Sequence, residues 1–315
     1  MLFALLHTML EKNGLMQNDD ITILLSTFNG EKFIKEQLSS LYSQEDVGIS
    51  ILVRDDGSTD RTDTILDNEQ QLGKLSWYRG TNKGPAASFW ELLANAPESP
   101  YYSFCDQDDV WDKDKLKTAL EHLSRSKDKP ALYFCQTRLV DSDLKEIKSV
   151  SITPLLTFEE SLIYHFATGC TMVINDALRK ELLKYTPQYM RMHDLWTYLV
   201  AQAIGADIYF DPTPHISYRQ HSDNAVGLKS SLAFVWKNRI KRLAQNEHIR
   251  YRLANEVWNG YKDAMPAHNA EMTRLVADYR KGIRQWFRLL FTNKIKSSST
   301  SINITYKTAV LFRIL

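Results

Sequence analysis

The sequence predicts an α/β fold in which a mainly parallel sheet is flanked by helices. Three times in the first hundred residues, a short apolar strand runs into a polar turn and then into an amphipathic helix. A fourth apolar run, Tyr101–Cys105, ends in acidic residues. This alternation is typical of a parallel sheet covered on both faces. Because parallel strands end at the same edge of a sheet, the four turns should converge on one site.

The elements are predicted in chain order from apolar periodicity and turn residues. Four strands are expected in the first half, at Ile21–Leu25, Ile49–Val53, Leu75–Arg79 and Tyr101–Cys105. Helices are expected over Glu31–Ser43, from Ser58 or Thr59 to Leu66, over Ala86–Ala94 and from about Asp112. The second half should add strands at Leu132–Phe134, near Val173 and at Ile208–Phe210, with a helix over Leu195–Ala203.

Composition indicates a globular protein with a sizeable core. The chain has 315 residues, of which 43% are hydrophobic and 24% charged. Its length allows one large domain with an appendage, or two domains. The three cysteines are far apart in sequence, which favours neither a disulfide framework nor a zinc site and fits a reducing cytoplasm.

Charge divides the chain into an acidic front and a basic tail. Residues 234–315 carry 16 Lys+Arg and 5 Asp+Glu, a net charge of +11, whereas the whole chain is at +1. We therefore expect an N-terminal extension over 1–17, an α/β domain over 18–225 and a basic helical region over 226–315. The apolar patch Met1–Leu6 lacks the features of a signal peptide and is too short to span a bilayer.

Acidic residues follow the fourth strand directly, at Asp106, Asp108 and Asp109. Buried carboxylates are costly unless a positive partner compensates them. Asp106 and Asp108 are two residues apart, so in an extended chain they project to the same side. One could hold a divalent cation while the other accepts a hydrogen bond from a ligand. The alternative is a solvated acidic turn ahead of a helix.

Four motifs in this order resemble the family 2 glycosyltransferases of GT-A fold, over about residues 20–225. They are S-T-F-N-G, R-D-D-G-S-T-D, N-K-G-P-A-A-S and D-Q-D-D-V-W, one after each strand. The resemblance implies a Rossmann-like nucleotide-sugar-binding sheet, a divalent metal (Mn²⁺ or Mg²⁺) and transfer with inversion at the anomeric centre.

The first two motifs would bind the nucleoside. By the resemblance, Thr27 and Asn29 line the nucleotide pocket. Asp56, or its neighbour Asp55, accepts a hydrogen bond from N3–H of uracil or thymine. That N–H is a donor and therefore needs a carboxylate or carbonyl acceptor. The alternative for these aspartates is an ordinary turn with a helix cap.

The third and fourth motifs would meet the sugar and the phosphates. The resemblance places Asp106 at the ribose and Asp108 on the metal. It places Lys83 and Gly84 near the diphosphate, where a cation and bare backbone are both useful. A metal at Asp108 would neutralise charge that develops on the leaving diphosphate.

A carboxylate in the second half is the candidate general base. Asp194 stands at the start of a predicted helix and matches the family's catalytic acidic position. An inverting transferase needs one base to deprotonate the acceptor hydroxyl. His193 is the neighbour that could tune or replace it. The alternative is that Asp194 caps the helix.

The segment Tyr218–Gly227 narrows the resemblance to a rhamnosyltransferase branch that builds bacterial cell-surface polysaccharides. It reads Y-R-Q-H-S-D-N-A-V-G. The branch implies dTDP-L-rhamnose as donor and a lipid-linked saccharide as acceptor. His221 would be a metal ligand or a diphosphate contact, because imidazole can serve either purpose. Arg219 is a further diphosphate candidate.

Other functions remain open at this point. A related transferase would use UDP-galactose or UDP-glucose. A sugar nucleotidyltransferase would carry basic residues in the loop after the first strand, but Ser26–Gly30 has none. A non-catalytic sugar-nucleotide-binding module would not need both the D-x-D motif and Asp194. No nucleic-acid partner is expected.

The basic C-terminal region predicts the cellular location of the protein. In Lys281–Phe291, taken as a helix, Ile283, Trp286, Phe287 and Leu290 fall on one side and three basic residues on the other. A segment with Trp236, Ile240 and Leu243 repeats the pattern. Such helices bind anionic membrane surfaces, which favours a cytoplasmic protein held on the inner face of the cell membrane. Alternatively, the apolar stripes pack on the protein or form a homodimer.

Overall fold

A computed structural model of the protein describes residues 21–126, 128–147, 153–220 and 248–315. Its sheet has eight strands in the order β3-β2-β1-β4-β7-β6-β8-β5. In chain order the strands are β1 Ile21–Thr27, β2 Ile49–Asp55, β3 Ser76–Arg79, β4 Tyr101–Cys105, β5 Val110–Trp111, β6 Ala131–Val140, β7 Val173–Asn175 and β8 Asp207–Arg219.

The first four strands form a parallel half-sheet whose ends are aligned. Thr27 of β1 pairs with Asp55 of β2, and Asp55 pairs in turn with Arg79 of β3. On the other side of β1, Leu25 pairs with Cys105 at the end of β4. The polar turns that follow these strands therefore leave the sheet at one edge. The predicted α/β fold with a mainly parallel sheet is confirmed.

Eleven helices surround this sheet in the described residues. They are α1 Ile34–Tyr42, α2 Thr62–Gln71, α3 Pro85–Asn95, α4 Lys115–Leu123, α5 Phe158–Ser161, α6 Asp176–Leu183, α7 His193–Ala203, α8 Ile249–Tyr261, α9 Ala267–Ala277, α10 Ile283–Phe291 and α11 Thr300–Leu311. Local chemistry explains several starts. Pro85 occupies the first turn of α3, where its missing N–H costs nothing. The Asn175 side chain caps α6 by accepting from the Leu178 N–H.

Each face of the sheet has its own hydrophobic core. Ile21, Ile23 and Leu25 alternate along β1 and face one core, together with Leu38 of α1 and Leu116 of α4. Leu24 points to the opposite core, which holds α3 and α7. Strand residues at odd and even positions thus divide between the two layers of helices, as a sheet buried on both faces requires.

The helical C-terminal region packs on the second of these cores. Val257, Met272, Leu289 and Val310, one from each of α8 to α11, belong to the same buried cluster as Trp196 of α7. The predicted helical character of this region is confirmed. The predicted domain boundaries stay predictions, and the extension over 1–17 lies outside the described residues. No helix among the described residues is long and apolar enough to cross a membrane.

Two strands are longer than the periodicity predicts. β6 continues from Phe134 to Val140, and β8 continues from Phe210 to Arg219, because the two strands pair along their whole length. Irregularities in register around Gln136 interrupt the alternation that marks a strand in sequence. As a result, Tyr218 and Arg219 lie at the end of a strand rather than in a loop after it.

Candidate active site

Hydrogen bonds tie together the turns after β1, β2 and β4. The Gln107 side chain, from the turn after β4, accepts from Thr27 Oγ1 at 2.6 Å and from the Phe28 N–H at 2.8 Å. The Asn29 side chain accepts from the Thr59 N–H at 2.8 Å, which links the first turn to the second. The predicted convergence of these turns is confirmed, and Thr27 and Asn29 both lie in it.

Asp55, the last residue of β2, and Asp56 are buried, and both carboxylates already accept hydrogen bonds. Asp56 accepts from Arg54 Nη1 at 2.5 Å and from the backbone N–H groups of Lys83 and Gly84 at 2.9 Å each. Asp55 accepts from the backbone N–H and the hydroxyl of Ser58. Both carboxylates therefore organise the loops around them. Contact of either one with a pyrimidine N3–H stays a prediction.

The turn after β3 is held by Asp56 and shaped by glycine. Gly84 has φ of +78°, which favours a residue without a Cβ. The ammonium of Lys83 is half exposed and lies 2.9 Å from a Glu91 carboxylate oxygen. The backbone at 83 and 84 thus borders the site, while the Lys83 charge is paired with Glu91. Their contact with a diphosphate stays a prediction.

The acidic residues after β4 crowd one another at the edge of the sheet. Burial raises the pKa of Asp106 to about 7, and the negative charges of Asp108 and Asp194 add to the effect. Burial also holds the pKa of Asp109 well above its usual range, with Asp108 and Asp106 contributing. Asp109 Oδ2 is buried and has no hydrogen-bond partner in the described part of the chain. Ionising these neighbouring carboxyls together is therefore costly unless a cation joins them.

Arg219 closes this acidic turn from the end of β8. Its backbone N–H donates to Asp109 Oδ1 at 3.0 Å, and its Nε donates to the Asp108 carbonyl at 2.8 Å. The guanidinium also pairs with Glu36 and stacks over Phe33, with 4.7 Å to the ring centre. Arg219 is buried, so its observed contacts hold the turn. A diphosphate contact for it stays a prediction, and His221 lies outside the described residues.

Asp194 lies at the start of α7, in contact with Gly169. Its Oδ1 accepts from the Leu195 N–H at 2.6 Å, and its Oδ2 accepts from the Gly169 N–H at 3.3 Å. Its charge contributes to the raised pKa of Asp106, so the two carboxylates are close enough to interact. The structure therefore brings the candidate base close to the acids after β4, although the two positions are far apart in sequence.

His193, the proposed neighbour of the base, is part of the core. Its ring stacks on Phe89 with centroids 3.9 Å apart and meets the edge of Phe104 at 4.8 Å. Burial lowers the pKa of His193 to about 4, so the ring is neutral near pH 7. Neither ring nitrogen has a hydrogen-bond partner in the described residues. Its position suits support of the α7 start better than proton transfer.

Comparison with known proteins identifies the family. The family described as "Glycosyl transferase family 2" matches residues 22–184. The chain belongs to this family. It is 34% identical over 248 residues to dTDP-rhamnosyl transferase RfbG of Shigella flexneri, covering 72% of this chain and 81% of that protein. It is 26% identical over 252 residues to an uncharacterised glycosyltransferase of Rickettsia typhi, covering 73% and 74%.

Solved structures confirm the fold of this glycosyltransferase. TarS 1–349 of S. aureus superposes with a TM-score of 0.58 at 19% identity, covering 94% of this chain and 82% of that one. The mannosyltransferase PcManGT of Pyrobaculum calidifontis, in complex with GDP-Man and Mn²⁺, superposes with a TM-score of 0.54 at 15% identity, covering 98% and 92%. The predicted GT-A architecture with a helical C-terminal region is confirmed.

The acidic edge of the glycosyltransferase sheet fits a divalent cation. Ligand atoms of Asp106, Asp109 and Cys170 all lie within 4.8 Å of one another. The unpartnered Asp109 Oδ2 is an available oxygen, and carboxylate oxygens suit Mg²⁺ and Mn²⁺. The sequence interpretation assigned no metal-binding role to Asp109 or Cys170. Asp109 was visible as the third acid of its motif, whereas nothing in the sequence around Cys170 indicates this position.

A buried lysine beneath the acids was also missed. Lys115 is fully buried, and its ammonium lies 3.4 Å from the centre of the Trp111 ring. Burial lowers the pKa of Lys115, while the nearby cysteine sulfurs and Asp109 favour its charged form. Lys115 therefore supplies part of the positive charge under the sheet edge. A lysine in the first turn of an amphipathic helix is expected to face solvent, so the sequence carries no sign of this role.

Proposed function

We propose that this glycosyltransferase moves L-rhamnose from dTDP-L-rhamnose, with inversion and with a divalent metal, onto a lipid-linked saccharide in cell-surface polysaccharide synthesis. The observation that carries the proposal is the position of Asp194, which accepts from the Gly169 N–H beside Cys170, whose sulfur lies within 4.8 Å of ligand atoms of Asp106 and Asp109. The donor is inferred from 34% identity to a protein described as a dTDP-rhamnosyl transferase.

Asp194 is proposed as the general base. Single displacement at the anomeric carbon needs one carboxylate on the acceptor side and a leaving group on the other. We propose Asp194 as the carboxylate on the acceptor side because it comes from the start of α7 rather than from the loops after β1 to β4. The Gly169 N–H and the start of α7 orient it. Its proton would come from the attacking hydroxyl of the acceptor.

The donor would lie along the sheet edge. Thr27, Asn29 and one of Asp55 and Asp56 would bind the nucleoside, with Asp106 at the ribose. Asp108 and His221 would hold Mn²⁺ or Mg²⁺, which when bound would neutralise the leaving diphosphate. Lys83 and Gly84 border the same space, and Arg219 fixes the turn that contains Asp108.

A second candidate keeps the fold and changes the donor to UDP-galactose or UDP-glucose. The same fold occurs in a protein described in complex with UDP-GlcNAc and in another described in complex with GDP-Man. A sugar nucleotidyltransferase is the weaker alternative, because the loop after β1 carries no basic residue.

We propose that the protein acts at the inner face of the cell membrane, to which it is attached peripherally. The apolar residues of α10 do not all face the same way: one is buried in the protein and three are exposed. Leu289 is fully buried, whereas Ile283, Phe287 and Phe291 are 58%, 45% and 71% exposed. The aromatic rings of Phe287 and Phe291 stack, and Arg284 and Arg288 flank them along the helix. An exposed apolar stripe beside cations suits an anionic leaflet. The segment with Trp236 lies outside the described residues.

A donor panel tests the proposal. Purified protein with Mn²⁺ would be incubated with dTDP-L-rhamnose, UDP-galactose and UDP-glucose, and nucleotide release would be measured with and without membrane lipid extract. We expect release from dTDP-L-rhamnose to exceed that from the UDP-sugars and to depend on Asp194. Preferential release from a UDP-sugar would reject rhamnose. Release from no donor, with folded protein, would reject the transferase proposal.

A further inference from the structure

His215, on β8, has a carboxylate at each of its two ring nitrogens. Its Nε2 lies 3.3 Å from Asp211 Oδ2, and its Nδ1 lies 3.1 Å from Asp114 Oδ1. The imidazole side chain is only 9% exposed, so the two carboxylate oxygens replace the water that an exposed ring would bind. The protonation of this buried ring therefore depends on what the two carboxylates require.

A neutral imidazole cannot satisfy both contacts. It has one N–H, which donates, while its other ring nitrogen offers only a lone pair. Asp211 is the more firmly held carboxylate, because its Oδ1 accepts from the Thr213 N–H at 2.7 Å and its Oδ2 accepts from the Tyr133 hydroxyl at 3.3 Å. A ring that donates from Nε2 to Asp211 turns its Nδ1 lone pair toward Asp114, so two acceptors face each other. A positive charge must therefore lie between them, either a second ring proton or a metal ion.

A third carboxylate reaches the same place. Ligand atoms of Asp112, Asp114 and His215 all lie within 4.8 Å of one another. Asp112 directly follows β5, and its backbone N–H donates to the His215 carbonyl at 3.0 Å, so the pairing of β5 with β8 fixes this spacing. Arg138, on β6, donates to both Asp112 oxygens at 3.0 and 2.9 Å, and each oxygen keeps a further lone pair. The guanidinium thus orients the Asp112 carboxylate and leaves it able to bind an ion.

Charge and access favour a metal ion over a second ring proton. The contacts join the carboxylates of Asp112, Asp114 and Asp211 to one guanidinium, so a divalent ion would balance the charge that remains when the imidazole is neutral. The side chains of Asp112 and Asp114 are 33% and 57% exposed, so an ion can enter from solvent and keep water ligands. One imidazole nitrogen and two carboxylate oxygens suit Zn²⁺ and Mn²⁺. The contact of Asp211 with His215 is the outer hydrogen bond that orients a metal-binding histidine.

We propose that Asp112, Asp114 and His215 bind a divalent transition-metal ion, with water in the remaining positions and Asp211 orienting the histidine. The site shares no residue with the group of acids and cysteine after β4, so it is separate from the metal of the proposed function. Its three ligands come from the end of β5, the residue before α4 and the middle of β8. A bound ion would therefore fasten β5 and the start of α4 to β8.

Zinc titration tests the site. Zn²⁺ would be titrated by calorimetry into chelator-treated wild type, His215→Gln, Asp114→Asn and Asp211→Asn. Loss of an outer carboxylate weakens metal binding about 10–100-fold, so Asp211→Asn should weaken one Zn²⁺ site by about that factor. His215→Gln and Asp114→Asn each remove a ligand and should weaken the same site at least as much. His268→Gln is the matched control, because His268 is an exposed histidine that contacts Glu159, and it should leave Zn²⁺ binding unchanged.

Thermal unfolding gives a second measurement of the same site. An ion that binds only the folded protein raises its melting temperature, so Zn²⁺ should stabilise wild type and His268→Gln more than His215→Gln. Equal Zn²⁺ stoichiometry and affinity in wild type and His215→Gln would overturn the inference, and a charged imidazole would then explain the contacts. An equal loss in His268→Gln would also overturn it. If His215→Gln does not fold, Asp114→Asn decides, because that side chain is largely exposed, and wild-type Zn²⁺ binding by this variant rejects the site.

Discussion

Replacing Gly169 with alanine tests how the base is positioned. A Cβ at this residue would lie 2.5 Å from His193 Nε2, 3.0 Å from His193 Cε1 and 3.5 Å from Asp194 Cβ. Ordinary contact begins near 3.4 Å, so the imidazole would have to move by about 0.9 Å. It cannot retreat freely, because Phe89 stacks on it at 3.9 Å and Phe104 meets it at 4.8 Å. The start of α7, with Asp194, should therefore shift.

The displacement of the imidazole sets the expected losses of stability and of transfer rate. Overpacking a core costs about 1–3 kcal/mol of unfolding free energy. A shift of about 1 Å near the chemistry lowers the rate about a hundredfold. We expect Gly169→Ala to show both losses, measured by urea unfolding and by transfer rate, with a smaller change in dTDP affinity, because the atoms nearest the new Cβ belong to His193 and Asp194.

A double-mutant cycle with His193→Ala is the control. Removing the imidazole makes room for the new methyl group, so Gly169→Ala should cost little stability in the His193→Ala background. Additive stability losses would refute the steric argument. So would a single Gly169→Ala variant whose stability and transfer rate both match wild type.

Four further outcomes follow from the site and the tail. Asp194→Asn should lower transfer by about 10²–10⁴-fold with dTDP affinity retained; a loss below about tenfold would move the base elsewhere. Asp108→Asn, or excess EDTA with wild type, should abolish transfer, and full activity in EDTA would contradict metal dependence. The pKa of His193 is lowered from 6.5 to about 4, so between these two pH values the unfolded chain binds more protons than the folded protein. The free energy of unfolding should therefore fall by up to about 3 kcal/mol as the pH drops through this range. Urea unfolding at several pH values should show a smaller fall for His193→Phe than for wild type, and an equal fall in the two proteins would reject this. Phe287→Glu should weaken co-sedimentation with anionic liposomes relative to Leu72→Glu, a change at an exposed apolar residue of the first half; equal binding would exclude α10 as the contact.

Local sequence patterns were enough to predict the parallel half of the sheet and the polar turns that follow its strands. Strand periodicity, turn residues and helix starts are local properties, so β1 to β4 and the turns that follow them are readable from short windows. Thr27 ends β1 and Asp56 and Asp106 directly follow β2 and β4, so parallel pairing brings them to one edge, but their roles were inferred from the resemblance of these turns to the family's motifs. Asp194 was inferred from the same resemblance and from its place at a helix start.

The residues that come to that edge from distant parts of the chain could not be predicted in the same way. β7 enters between β4 and β6 and runs antiparallel to both, which brings Gly169 and Cys170 next to Asp194 and the acids of β4. No local pattern encodes that insertion, because register between strands distant in sequence depends on packing across the whole sheet. The burial of Lys115 has the same origin.

The C-terminal helix over residues 283–291 also has features that the sequence predicts and features that depend on packing. Periodicity determined that residues 283–291 form an amphipathic helix, and the structure confirms Ile283–Phe291 as α10. Periodicity alone could not determine which apolar residues face the protein, because Leu289 and Phe287 are both apolar side chains of the same helix. Packing against α11, where Trp286 donates to the Val310 carbonyl at 2.8 Å, turns Leu289 inward and leaves Phe287 exposed. The direction that a helix faces depends on its neighbours, and those neighbours come from elsewhere in the chain.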